Sequence, residues 1–169
     1  MNQVQTSLPA NIVLHPLLTQ WFGLEHLPQL TVYTGKVELG QGIQTALRQI
    51  AAQELGLDLH QIHWVAGNTA VAPNEWYTAG SLSIENGGAA LKSALGFARW
   101  LFLQAAAKNL GVAVSAIEIR QGIFSSSTSP SNRTVSYAEL ASQVNLNVPI
   151  QGSMEIDQSV QQVKMQVVG

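Results

Sequence analysis

A chain of 169 residues is long enough for one domain with its own core and too short for two ordinary ones. A formal net charge of −2 with eight scattered Lys and Arg excludes an electrostatic footprint for nucleic acid or an anionic membrane, and the absence of cysteine excludes disulfides and any iron–sulfur cluster held by this chain's own thiolates. Only 11% of residues are charged against 46% hydrophobic, so a small surface is expected to present apolar area to something else.

Residues 1–29 carry Pro9, Pro16 and Pro28 and no sustained hydrophobic period, which predicts an irregular N-terminal arm with one short turn of helix, partly packed through Trp21, Phe22 and Leu24. Residues 30–169 then read as one domain. The first residues lack a basic segment before an apolar run. The best membrane-span candidate, Ala89 to Leu110, is divided by Lys92, Arg99 and Lys108. The expectation is a soluble, cytoplasmic protein with no nucleic acid and no membrane among its partners.

Leu30 to Leu39 has the strand signature of Val32, Tyr33 and Val37, and it runs through Gly40, Gln41 and Gly42 straight into a helix. That helix places Ile43, Ala46, Leu47, Ile50, Ala51 and Leu55 on one face, and Gly56 supplies its stop. A glycine turn at a helix N-terminus presents unpartnered amides at the positive end of the dipole, where the phosphate of a cofactor could dock. The competing reading is a tight strand-to-helix connection, because neither G-x-G-x-x-G nor a P-loop is completed.

A second strand is expected at Ile62 to Ala66, followed by a long polar connection, Asn68 to Ser83, with Pro73, Asn74 and Gly80. Gly88 to Leu110 reads as a helix apolar nearly all round, and in a domain this small that argues for a neighbour covering part of it. Ile117 to Phe124 and the region of Val135 suggest a hairpin or two short strands. Ser136 and Glu139 suit a capping box, and Val163, Met165 and Val167 alternate as a last strand would.

Two stretches, TGKVELGQGIQTALRQIAAQELG and GNTAVAPNEWYTAGSLSIENGGAA, carry a family resemblance. In this order and spacing they resemble the molybdopterin-binding subunit of the molybdenum hydroxylases, the xanthine dehydrogenase and aldehyde oxidase superfamily. The isoquinoline 1-oxidoreductase beta-subunit type is the nearest in look. The resemblance runs from about Leu30 to about Leu140 and implies a molybdopterin-type molybdenum cofactor bound in the context of the full subunit or complex. By that resemblance Gly40, Gln41, Gly42, Ala79, Gly80, Ser81 and Ser83 are the cofactor-binding candidates. Gln41 could read a planar heterocycle with its amide, and the small residues would let the backbone approach. Caps for the long helix are the alternative reading of the serines, of Ser83 above all.

The usual G-D-T and N-E-G-Y of that family stand here as Gly67-Asn68-Thr69 and Asn74-Glu75-Trp76-Tyr77. The family's general-base glutamate, in a G-x-G-E context, has no counterpart, so no catalytic residue is assigned and the chain is expected to be silent alone. Glu38 and Glu75 receive no acid–base role, since neither has an identifiable partner in sequence. His60 and His63 receive no metal. The resulting expectation is an α+β, two-layer fold: a mixed sheet of about four or five strands with two main helices on one face. Function follows as a partial cofactor-binding domain of a molybdenum hydroxylase, an aldehyde or N-heterocycle oxidoreductase. Its partners would be the remainder of the subunit and an iron–sulfur subunit, or further copies through apolar surface. The alternative is a free-standing, non-catalytic binding or assembly module derived from that family.

Overall fold

The structure, a computed structural model, describes residues 8–78, 83–129 and 132–151. Its first layer grows from β2 (Leu30–Thr34) and β3 (Ile62–Ala66), which lie parallel from Leu30↔Ile62 to Thr34↔Ala66. Parallel neighbours cannot be joined by a tight turn and need a crossover. That crossover is α2 (Ile43–Leu55), whose buried Ile43, Leu47, Ala51 and Leu55 form a stripe at four-residue spacing. Gly56, at φ 64°, ends the helix, and the Leu57 amide donates to the Ala52 carbonyl at 2.9 Å.

The N-terminal lead is more ordered than its prolines predict. Pro9 and Pro16 bracket a short helix, α1 (Ala10–Leu14), and β1 (Phe22–Gly23) pairs antiparallel with β2. Ile12, Leu18, Trp21 and Phe22 are fully buried, each worth about 1.5–3 kcal/mol of apolar burial. The Trp21 indole N–H donates to the His15 carbonyl at 2.9 Å, so the ring enters the core with its polar atom satisfied. The sheet is therefore mixed, in the order β1-β2-β3.

The long helix α3 (Ala89–Leu110) is buried on several sides, and the chain's own elements do the covering. It touches α1, α2, β1, the helical turn of residues 137–140 and the second sheet, and its apolar side chains are absent from the exposed large hydrophobics among the described residues. The neighbour expected over this helix is not needed there. Phe102 lies edge-on to Phe22 at 6.1 Å and to Tyr137 at 4.8 Å, which locks α3 between the two halves of the core.

A second sheet of three strands replaces the single larger one that was expected. β4 (Glu118–Arg120), β5 (Ile123–Ser125) and β6 (Thr134–Ser136) form an antiparallel meander whose Ile119, Phe124 and Val135 are buried. Gln121 and Gly122 join β4 to β5 with φ of 50° and 76°, the left-handed pair that matches strand twist in a two-residue hairpin. Because α3 packs against both β1 and the β5–β6 pair, these short strands do not extend the first sheet. Ser136 caps α4 (Tyr137–Leu140) by accepting from the Glu139 amide, while the Glu139 carboxylate accepts from the Ser136 amide at 2.7 Å. The alternating Val163, Met165 and Val167 lie outside the described residues, within which no helix is long and apolar enough to cross a membrane.

Candidate functional site

The chain leaves β2 through Gly35, which touches the second glycine-bearing stretch directly. A Cβ at Gly35 would run into the Pro73 carbonyl oxygen and lie 3.0 Å from the Glu75 nitrogen. Only a residue without a side chain lets the two backbones meet here.

Beyond it the first bend closes on Glu38. Its Oε1 accepts from the amides of Gly40 at 2.8 Å and Gly42 at 2.9 Å, and its Oε2 accepts from the Gln44 amide at 3.1 Å. These amides, Gln44 and then Gly42 foremost, hold the Glu38 carboxyl below the usual carboxylate range. An external anion at the start of α2 would thus meet a cradle already filled by the chain's own carboxylate. Glu38 lies well before the cap position Gly42, outside the sequence pattern that announces a helix cap.

Gln41 is turned back onto its own loop, accepting from the Leu39 amide at 2.6 Å and donating to the Val37 carbonyl at 3.4 Å. Gly40 and Gly42 have φ of 91° and 76°, and nothing stands within 4 Å of a Cβ built on either. Their outer faces are open.

The second stretch is held by the buried Glu75, for which sequence alone offered no partner. Its Oε2 accepts from the Thr34 hydroxyl at 2.6 Å and the Gly35 amide at 2.8 Å, and its Oε1 accepts from the Asn11 side chain at 3.2 Å. Lys36, equally buried, donates to the main-chain carbonyls of Glu75 at 2.7 Å and Tyr77 at 3.1 Å. The Thr78 hydroxyl accepts from the Val37 amide at 3.0 Å. Asn11, Thr34, Lys36 and Glu75 form a buried cluster that reasoning from sequence missed. A signal was available, because in so weakly charged a chain a Lys and a Glu both fall inside glycine-rich stretches.

Ser83 is buried and opens a π-helical turn, Ser83–Gly88, that runs into α3. A Cβ at Gly87 would lie 3.0 Å from Glu75 Oε1, and one at Gly88 would lie 3.3 Å from the Ile50 side chain of α2. Gly40, Gln41, Gly42 and Ser83 therefore sit on segments converging on one buried cluster, while Ala79, Gly80 and Ser81 lie outside the described residues. His63 does not join His60. It stacks on His26 with ring centroids 3.9 Å apart, and among the described residues no group of three or more His, Asp or Glu is placed to hold a metal ion.

Residues 24–167 match the family model described as the molybdopterin cofactor-binding domain. This chain belongs to that family. It is 38% identical over 113 residues to a nicotinate dehydrogenase subunit of Pseudomonas putida, covering 67% of this chain and 9% of that protein. Its fold is similar to quinoline 2-oxidoreductase from Pseudomonas putida 86, with a TM-score of 0.53 and 27% identity over 66% of this chain and 14% of that one. It is also similar to CO dehydrogenase from Oligotropha carboxidovorans, with a TM-score of 0.53 and 30% identity over 67% and 14% of the two chains. The chain thus spans a small fraction of the length of the proteins it matches.

The residues of this molybdopterin cofactor-binding domain fit such a group on one side. The open faces of Gly40 and Gly42 leave room for the edge of a flat ring system. The amides beneath them are committed to Glu38, so the α2 N-terminus does not offer them to a phosphate.

Proposed function

We propose that this chain is one wall of the cofactor site of a molybdenum hydroxylase, completed by the remainder of a larger subunit. The observation that supports this reading is the stitching of the two glycine-bearing stretches through Glu75 and Lys36, which brings the segments of Gly42 and Ser83 to one buried cluster. Gly40, Gln41 and Gly42 would hold one edge of the pterin, and Ala79, Gly80, Ser81 and Ser83 another. When bound, the molybdenum centre supplies the redox chemistry that places a water-derived hydroxyl on an aldehyde or on a carbon beside a ring nitrogen. This chain's own part is to bind and orient. Gln41 would release its contacts to Val37 and Leu39 to reach the heterocycle, and Glu38 keeps the bend closed beneath it.

With no general-base glutamate and no cysteine, the chain is silent alone, and electrons leave through an iron–sulfur subunit in the same, cytoplasmic, assembly. A second reading, a free-standing module that has lost the redox role, is favoured by Trp76 in place of a small residue and by the self-satisfied Glu38 cradle.

The two separate on metal content. The chain is co-expressed with the nicotinate dehydrogenase subunit of Pseudomonas putida from which the matching segment has been deleted, and molybdenum is measured by mass spectrometry. The first reading expects molybdenum in the joint complex, none on the chain alone, and a several-fold loss with Gln41→Ala or Ser83→Ala. A joint complex that never carries molybdenum sinks it.

A further inference from the structure

Trp76 occupies a backbone conformation built for glycine. Its φ of 60° lies in the left-handed region, where a bulky side chain is strained, and such strain persists only where the surroundings impose it. Here they do. The Asn74 side chain accepts from the Trp76 amide at 3.1 Å, and the Lys36 ammonium grips the carbonyls of the residues on either side, Glu75 and Tyr77. The indole so presented stays largely in solvent: Trp76 is 69% exposed and Tyr77 85% exposed.

The segments that meet at the same cluster carry further exposed apolar side chains. Leu39 leaves the first bend 71% exposed, Val71 belongs to the second stretch, and Ile84 belongs to the π-helical turn. All three segments meet at the Glu75–Lys36 cluster. The side chains of Leu39, Val71 and Ile84 offer no donor or acceptor to a polar heterocycle. Tryptophan and tyrosine with aliphatic neighbours are instead the composition of a protein-binding anchor. The length of the relatives says which protein. This chain spans 9% of the nicotinate dehydrogenase subunit, so in a protein of that kind most of the polypeptide lies outside it.

We infer that Trp76 is the anchor by which the remainder of the molybdopterin-binding subunit docks onto this domain, its strained backbone held by Lys36 and Asn74 so that the indole is presented before contact. This rests on the partial-subunit reading above and adds the residue and the surface.

The test uses the full chain and the same segment-deleted nicotinate dehydrogenase subunit as probe. Wild-type chain is expected to bind it, with the indole emission shifting to shorter wavelength and acrylamide quenching falling, because the other three tryptophans start fully or partly buried. Trp76→Gly suits the left-handed backbone and should melt no lower than wild type, yet weaken binding at least tenfold. Binding unchanged in that variant overturns the anchor and leaves the partial-subunit reading standing. Failure of the wild-type chain to bind overturns both. Self-association of the wild-type chain that Trp76→Gly abolishes assigns the surface to a second copy and also overturns the proposal.

Discussion

The Lys36 ammonium donates to the main-chain carbonyl of Glu75 at 2.7 Å, while the carboxylate of that same residue is taken by Thr34, Gly35 and Asn11. The two buried charges thus act on backbone and neutral groups from three segments. Breaking either should loosen the same junction.

Glu75→Gln puts an amide N–H₂ where three donors now converge, so at least one buried donor loses its acceptor, at a cost of about 2 kcal/mol. Urea denaturation should show that loss, whereas Glu85→Gln at an exposed position should stay within about 0.5 kcal/mol. Lys36→Met keeps the aliphatic stem and removes both bonds to carbonyls. Hydrogen exchange at the Val37 amide, whose partner is the Thr78 hydroxyl, should then quicken. Unchanged exchange would mean that the two stretches hold together without the lysine.

Two glycines of the β2–α2 connection should respond very differently to alanine. At Gly42 a Cβ meets open space, so Gly42→Ala bears only the backbone strain of φ 76°, about 1 kcal/mol. At Gly35 the Cβ meets the Pro73 carbonyl, and main chain cannot swing aside as a side chain can. Gly35→Ala should therefore cost at least about 3 kcal/mol, as overpacking does at its upper range. Thermal melting of both variants checks the order, and equal losses would deny the close approach.

Two carboxylates should give opposite signs at neutral pH. The folded-state pKa of Glu38 is lowered by the Gln44 and Gly42 amides, so its stabilisation is present above the ordinary carboxylate value of about 4.3 and fades as pH falls through the folded value. Glu54 is raised by burial, against the opposing charges of Arg99 and Lys92. Its contribution is full below the ordinary value and is lost as pH rises through the folded one. Glu38→Gln should melt below wild type at neutral pH and Glu54→Gln above it. Both differences should shrink on acidification, in melts from about pH 7 to about pH 3. A pH-independent gap would show that lost packing, not ionisation, separates the variants.

Much of the scaffold was legible because it is local. Ile43 to Leu55 declares its apolar face and Gly56 its end within a few turns, and Ser136 with Glu139 announces a cap within one. The candidate site was legible only in part. Gly40 and Gly42 entered as candidates only through the family resemblance, whereas Glu75 had no identifiable partner in sequence because its donors Asn11 and Thr34 lie far from it in the chain. Trp76 stood out in sequence only as a departure from N-E-G-Y, and its left-handed backbone and exposed ring follow from the tertiary bracing of the loop by Lys36.

The amino-acid order alone indicated the α+β character, the amphipathic helix that follows the first strand and the family resemblance, and it holds no cysteine. Each depends on neighbours in sequence or on composition. Folding in three dimensions decided that α3 is shared by two small sheets, that Glu38 fills the helix start kept for an anion, and that a buried lysine and glutamate join the two glycine-bearing stretches. Those outcomes depend on which distant groups meet when water is excluded. A polar group removed from water takes whatever partner the packing brings, and no periodicity along the chain names that partner in advance.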